Sequence, residues 1–312
     1  MRIAGTSYTN SLVSQLNFLT SQQYQLQSQV STGQRIQKPE DDPAGMAQAL
    51  GLQTDSAAAT QYAQNISTLQ TGATTAYSAM QQIKTISDRA GEIATLADGT
   101  KTTAELQAYA TEVNQLIQQA VQLANGKNGD HYVFSGTKSD TPPFSATTDA
   151  SGNVAAVTYQ GNTSVSQTEI AQGTTLAIDT PGANTTGSGP RGLLADSRYG
   201  ADFFNHLISL QKDLASGNTA NISKVDQPAL TKDEDNLIYQ ISNNGVLQSR
   251  LDSAATSTSN LQSSLQQSLT KVAGVDMTKA ITELSQAQST YQAALSSSSV
   301  LLQLQQSVLV YL

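Results

Sequence analysis

Apolar residues near the start of the chain fall in alternating steps of four and three: Leu12, Leu16, Leu19, Leu26 and Val30, with Gln23 filling the missing place. That rhythm is the heptad of an amphipathic helix whose apolar stripe is one seam wide. A second run holds it from Tyr62 through Ile66, Leu69, Ala73, Ala76, Met80, Ile83, Ile86 and Ile93 to Ala97, where Asp98-Gly99-Thr100 interrupts. The pattern predicts a long helix with a clear stop. A third run, Leu106 to Leu123, ends at Asn125-Gly126 and is expected to fold back antiparallel on the second.

The pattern changes over residues 138–190, where Thr, Gly, Pro and Asn separate short β-branched stretches. Phe144–Thr147 and Val154–Tyr159 read as a hairpin around 149–153, and Val165–Ile170 with Thr174–Ile178 as another; 182–189 reads as a flexible exit. Helical spacing returns from about Ala201, and a heptad run through Leu247, Leu251, Ala254, Leu261, Leu265 and Val272 closes at Gly274. The last run, Met277, Ile281, Leu284, Tyr291, Leu295, Leu302 and Leu309, has Gln288, Ser298 and Gln305 at its intervening places.

Both ends therefore carry narrow, polar-diluted stripes, which seldom hold an isolated helix, so each needs a partner helix, either the other terminus or a second subunit. The expected fold is α+β: a long antiparallel helical bundle or coiled coil formed from both chain ends, with a small β-rich domain inserted at its tip. The breaks divide the chain into terminal helices over 1–40 and 275–312, a helical bundle over 41–137 and 191–274, and the insert over 138–190.

Composition narrows what such a fold can do. Hydrophobic residues make up 38% and charged residues 13%, against roughly 45–50% and about 25% in ordinary globular domains. Gln, Ser, Thr, Ala and Asn fill the gap, and the absence of Trp leaves little bulk for a deep pocket or for stacking on bases. A net charge of −8 disfavours nucleic acid, and no apolar run is long enough for membrane insertion. The N-terminus has no apolar segment of the signal-peptide kind.

There are no cysteines, and the two histidines, His131 and His206, are far apart in sequence, so nothing calls for a metal or another cofactor. Neither histidine sits in a triad context; His131 reads as part of a helix-end turn and His206 as a partly packed helix residue. Glu40, Asp41 and Asp42 are paired acids without a base, and no catalytic residue is expected. Tyr8, Tyr24 and Tyr62 read as packing residues.

Between the first two helices lies Ser31-Thr32-Gly33-Gln34-Arg35-Ile36-Gln37-Lys38-Pro39-Glu40-Asp41-Asp42-Pro43-Ala44-Gly45-Met46-Ala47. Gly33 can take positive φ after a helix, Pro39 and Pro43 break helix, and Asp41 or Asp42 can cap the next one. The segment also resembles the signature of the bacterial flagellin superfamily, with Gln34 standing where that family has a basic residue. Gly33, Arg35, Asp41, Asp42, Pro43 and Gly45 are its matching positions. Phe134-Ser135-Gly136-Thr137 with Asp140-Thr141-Pro142-Pro143-Phe144, and later Tyr159-Gln160-Gly161-Asn162, resemble the hook-associated branch of the superfamily rather than its filament subunits. The closing stretch from Gln303 resembles the family's last helix, with Val310 in place of a polar residue.

The resemblance implies a structural subunit, not an enzyme, exported through the flagellar type III system without a signal peptide. It implies an extracellular place at the distal end of the hook and a ring of subunits between hook-associated protein 1 and flagellin. A flagellar export chaperone would hold the C-terminal stripe before assembly. Leu12, Leu16, Leu19, Leu26, Val30, Ile281, Leu284, Tyr291, Leu295, Leu302 and Leu309 are then the expected assembly residues. A filament subunit of the flagellin type is the alternative, with an unrelated secreted coiled-coil adhesin or hydrolase behind it.

Overall fold

The computed structural model describes the backbone of residues 2–310 and the side-chain environment of residues 10–300 and 303. Seven α-helices are described: α1 (Arg2–Thr32), α2 (Pro43–Leu96), α3 (Thr103–Ala124), α4 (Phe203–Ser216), the single turn α5 (Thr219–Asn221), α6 (Gln227–Ala273) and α7 (Met277–Val310). A π-helical segment, Ile222–Asp226, leads into α6. Nine short strands lie between α3 and α4: β1 (Lys127–Asn128), β2 (His131–Tyr132), β3 (Phe144–Thr148), β4 (Val154–Tyr159), β5 (Thr168–Ala171), β6 (Thr174–Leu176), β7 (Ala183–Asn184), β8 (Ala195–Asp196) and β9 (Ala201–Asp202).

The chain forms two compact units, residues 1–58 with 261–312, and residues 59–260. In the first, α1 packs against α7. The end of α1 is tied to the start of α7 by an antiparallel bridge between Gln34 and Gly274, so the two terminal helices run antiparallel. Long helices from the two ends pair and the strands sit mid-chain, as the α+β reading expects.

In the second unit the predicted heptad stripes form the core. Met80, Ile83 and Ile93 of α2 and Val113 and Ile117 of α3 are fully buried, together with Leu207, Leu210 and Leu214 of α4. Burying such aliphatic side chains contributes about 1.5–3 kcal/mol each. Arg89 ties α2 to α3 through Glu112 at 2.6 Å, consistent with antiparallel neighbours. Thr102 caps α3 in a reciprocal capping box with Glu105, which ends the turn that starts at Asp98.

The hairpins β3–β4 and β5–β6 form where the turn chemistry places them. Ile170 and Leu176 of the second close on Ile66, Leu69 and Leu251. Residues 182–189 differ from the expected flexible exit. Ala183 and Asn184 are buried and form β7, parallel to β8, which pairs with β9. The cause is polar satisfaction: Asn184 Nδ2 donates to the Ser188 carbonyl at 2.7 Å and the Pro190 carbonyl at 2.6 Å, folding the glycine-rich stretch over itself.

Two stretches far apart in sequence meet in this unit. Tyr159 Oη lies 3.0 Å from the Phe134 carbonyl and 2.9 Å from the Asn162 carbonyl, and accepts the Gly182 N–H at 3.2 Å. Burial pushes this phenol up to about 12. Asn162 Oδ1 accepts the Thr137 N–H at 3.0 Å, and a side chain at Gly136 would run into Asn162. Phe144 packs against both Tyr159 and Phe204, each ring centroid at 5.2 Å with the planes tilted by 49° and 59°. Asn125 holds its backbone in place by accepting from Phe144 N at 2.9 Å and donating to Phe144 O at 2.8 Å.

Candidate assembly surface

The loop between α1 and α2 is a clasp. Gly33 has φ +69, a region closed to most side chains, and turns the chain out of α1. Asp42 caps α2, its Oδ1 accepting the Gly45 N–H at 2.9 Å, and Pro43 takes the first helical position, where a missing N–H is harmless. Asp41 Oδ2 accepts the Gln37 and Lys38 N–H groups at 3.0 and 2.9 Å. Those two N–H groups hold the Asp41 carboxyl below the usual range; the Gly45 N–H and Arg35 do the same for Asp42.

Arg35 reaches further. Its Nη2 donates to Asp42 Oδ2 at 3.2 Å and to the Val272 carbonyl at 3.1 Å, while its backbone N–H donates to Ala273 O at 2.7 Å. Val275 N returns to Gly33 O at 3.0 Å. The signature loop is thereby fastened to the α6–α7 connection. Ile36 is buried beneath it, and a Cβ on Gly45 would stand 2.6 Å from both Ile36 Cδ1 and Asp42 Oδ2. Glycine at 45 lets the loop close onto the first turn of α2.

The clasp sets which faces of the terminal helices meet. On α1, Leu19 and Leu26 are buried and Leu12, Leu16, Gln23 and Val30 half-buried, the face the heptad picks out. On α7 the covered face is Ala280, Leu284, Ala287, Tyr291, Ala294 and Ser298, again in steps of four and three. Leu284 and Tyr291 belong to the predicted stripe, but Ile281 is 52% exposed and Leu295 43% exposed. The seam runs one residue to the side of them. Alanine and serine let α7 approach the leucines of α1, and the larger aliphatics flank the contact. The side chains of Leu302 and Leu309, and that of Tyr8, lie outside the described residues.

Large apolar side chains remain outside the seam. Val13, Phe18 and Tyr24 on α1, and Met277, Ile281, Leu295 and Val300 on α7, are exposed. Tyr24, read from sequence as packing, is 69% exposed. Met277, Ile281 and Leu295 share one side of α7, and Val13 and Tyr24 one side of α1, at helical spacing; contiguous apolar surface of this kind marks a site for another chain.

The ionisable groups of the second unit do structural work. His206 Nδ1 lies 2.7 Å from Asp233 Oδ2, and Asp233 Oδ1 accepts the Asp202 N–H at 2.8 Å. Burial pulls the His206 imidazole down, but Asp233, Asp202 and Asp226 outweigh it and raise it. Ser209, one turn on, donates to Asp226 at 2.7 Å and not to the imidazole. His131 lies in β2, outside any helix, and is exposed 3.7 Å from Asp140. Among the described residues no three His, Cys, Asp or Glu side chains converge as a metal site. No described helix is long and apolar enough to cross a membrane.

Helices from the two chain ends pair, and the loop after the first is clasped to the start of the last. The bacterial flagellin N-terminal helical region matches residues 5–139 and the C-terminal helical region matches residues 230–312. The chain belongs to the bacterial flagellin family. Within it, the chain is 33% identical over 119 residues to flagellar hook-associated protein 3 of Escherichia coli, 38% of each chain. It thus spans less than half the length of that curated relative. Among solved structures it resembles a hook-associated protein candidate from Vibrio parahaemolyticus, with TM-score 0.64 at 20% identity over 75% of this chain and 100% of that one. It also resembles Xanthomonas campestris FlgL, with TM-score 0.56 at 18% identity over 69% and 98%. At those identities the likeness is one of fold.

Proposed function

We propose that the chain is a structural subunit of the bacterial flagellum that forms the junction between hook and filament, assembling as a ring through α1 and α7. The observation that carries this is the large apolar surface left exposed on the terminal helices, Val13 and Tyr24 on one side of α1 and Met277, Ile281 and Leu295 on one side of α7. Apolar surface on a polar, weakly charged chain is stabilised when neighbouring subunits cover it. Hook-associated protein 1 on one side and flagellin on the other are the expected neighbours. A flagellar export chaperone covers the α7 flank before assembly, and the type III channel is the route out. On this reading the chain works by packing, without chemistry.

Electron microscopy of cells lacking this gene, with an assay for flagellin in the medium, tests the reading. Hooks without filaments and flagellin lost to the medium are expected, with rescue by the full chain but not by one lacking residues 300–312. Normal filaments in the deleted strain overturn it, and an abundant filament built of this chain would make it a flagellin-type subunit instead.

A further inference from the structure

The second unit holds three Asn-Gly pairs, Asn125-Gly126, Asn128-Gly129 and Asn244-Gly245, and the fold treats them differently. In such a pair the glycine nitrogen can attack the preceding side-chain amide, because no Cβ hinders its approach. The attack needs an amide free to turn into a near-attack geometry. A hydrogen bond on the amide or on the glycine N–H opposes it.

At Asn125 both groups are held. Its Oδ1 accepts the Phe144 N–H at 2.9 Å, its Nδ2 donates to the Phe144 carbonyl at 2.8 Å, and the Gly126 N–H donates to Leu123 O at 3.0 Å. Asn244 and Gly245 lie inside α6, where helical bonding occupies the Gly245 N–H. The Asn244 side chain is buried and its Oδ1 accepts from Gln248 at 2.6 Å.

Asn128-Gly129 has neither restraint. Asn128 ends β1 and pairs through its backbone with His131, so Gly129 and Asp130 form a two-residue turn with Gly129 at φ +61. Gly129 is exposed, and a Cβ built on it would meet nothing within 4 Å. Among the described residues no hydrogen bond reaches the Asn128 amide or the Gly129 N–H. The amide instead lines a cavity of about 400 Å³ beside Gly72 of α2, large enough to admit water.

We propose that Asn128 is a site of spontaneous modification, converting to aspartate and isoaspartate through a cyclic imide closed by the Gly129 nitrogen. That nitrogen loses its proton to hydroxide and bonds to Asn128 Cγ; the Cγ–Nδ2 bond breaks, and ammonia leaves with a proton taken from water. Water then opens the imide at either carbonyl and leaves a carboxylate, with no change of oxidation state. The new charge shares the cavity with Asp179. Opening at the backbone carbonyl routes the chain through the side-chain carbon. That adds one atom to β1 and breaks the register that sets Lys127 against Tyr132 and Asn128 against His131.

The experiment incubates the folded full chain in mildly alkaline buffer and follows each pair by mass spectrometry after brief digestion at mildly acidic pH. Cleavage after Lys127 separates Asn125 from Asn128. Asn128 is expected to gain the mass of aspartate about tenfold faster than Asn125 and Asn244, the equivalent of about 1.4 kcal/mol in the barrier. In concentrated urea the three rates should converge, since the pairs are then alike. Equal rates in the folded chain, or a faster Asn125 or Asn244, overturn the proposal. So does a lead for Asn128 that persists unchanged in urea, which would put its cause in the neighbouring sequence and not in the fold.

Discussion

At the scale of single residues, Tyr159 shows how two quoted signatures depend on each other. Its hydroxyl serves the carbonyls of Phe134 and Asn162 and the N–H of Gly182, so one atom joins three loop segments. Tyr159→Phe keeps the ring against Phe144 but removes the hydroxyl hydrogen shared by the Phe134 and Asn162 carbonyls, while the Gly182 N–H keeps its 2.8 Å bond to Phe134 O. A loss of about 1–2 kcal/mol is expected in urea unfolding of the full chain; a change within about 0.5 kcal/mol would mean the hydroxyl is idle. The residues of this junction were legible as motifs, since glycine, asparagine and proline at fixed offsets mark turns. Their convergence was not, because no periodicity links residues 134–137 to 159–162 or 182. Gly45 is similar: the sequence offers a glycine inside a helix start, and only the packing of Ile36 and Asp42 explains it.

At the scale of elements, helix ends and hairpins followed the sequence closely, because caps and turns are local. The interruption at Asp98 ends α2 at Leu96, and Asn125 follows the end of α3. Helix faces were less legible. On α7 hydrophobicity selects Ile281 and Leu295, whereas close approach to α1 selects Ala280, Ala287 and Ala294, one place round the helix. The π-helical turn before α6 was invisible to heptad reasoning. It carries Asp226 inward, where Ser209 satisfies one oxygen and the other, Oδ2, has no partner. Burial, with the Asp213 carboxylate beside it, pushes Asp226 up to about 6 against the opposing Ser209 bond. A raised carboxyl contributes its full stability below the unfolded value near 3.8 and loses it as pH rises through about 6. Asp226→Asn removes that loss. It should stabilise the protein at pH 8 by about 1–2 kcal/mol after allowance for solvent screening, and have little effect at pH 4. Equal effects at both pH values in thermal unfolding would exclude an ionised Asp226 as the source. His206 has the same sign: its raised pKa supports the Asp233 pair at low pH and releases it as pH rises.

At the scale of the whole molecule, the pairing of the chain ends was legible because both stripes are too narrow to stand alone. What the pairing leaves over was not. The exposed flank of Ile281 and Leu295, with Tyr24 on α1, looks, residue by residue, like core. Its exposure appears only when α1 and α7 meet through smaller residues and Arg35 fastens the loop to Val272 and Ala273. The central claim is that this flank serves other subunits and not the fold of its own chain. Its most direct measurement is complementation of the deleted strain by Ile281→Ser with Leu295→Ser. The account predicts monomer stability within about 0.5 kcal/mol of the parent chain, as for exposed sites generally, and the variant exported to the medium while hooks stay bare. Filaments of normal number and length on those hooks would contradict it.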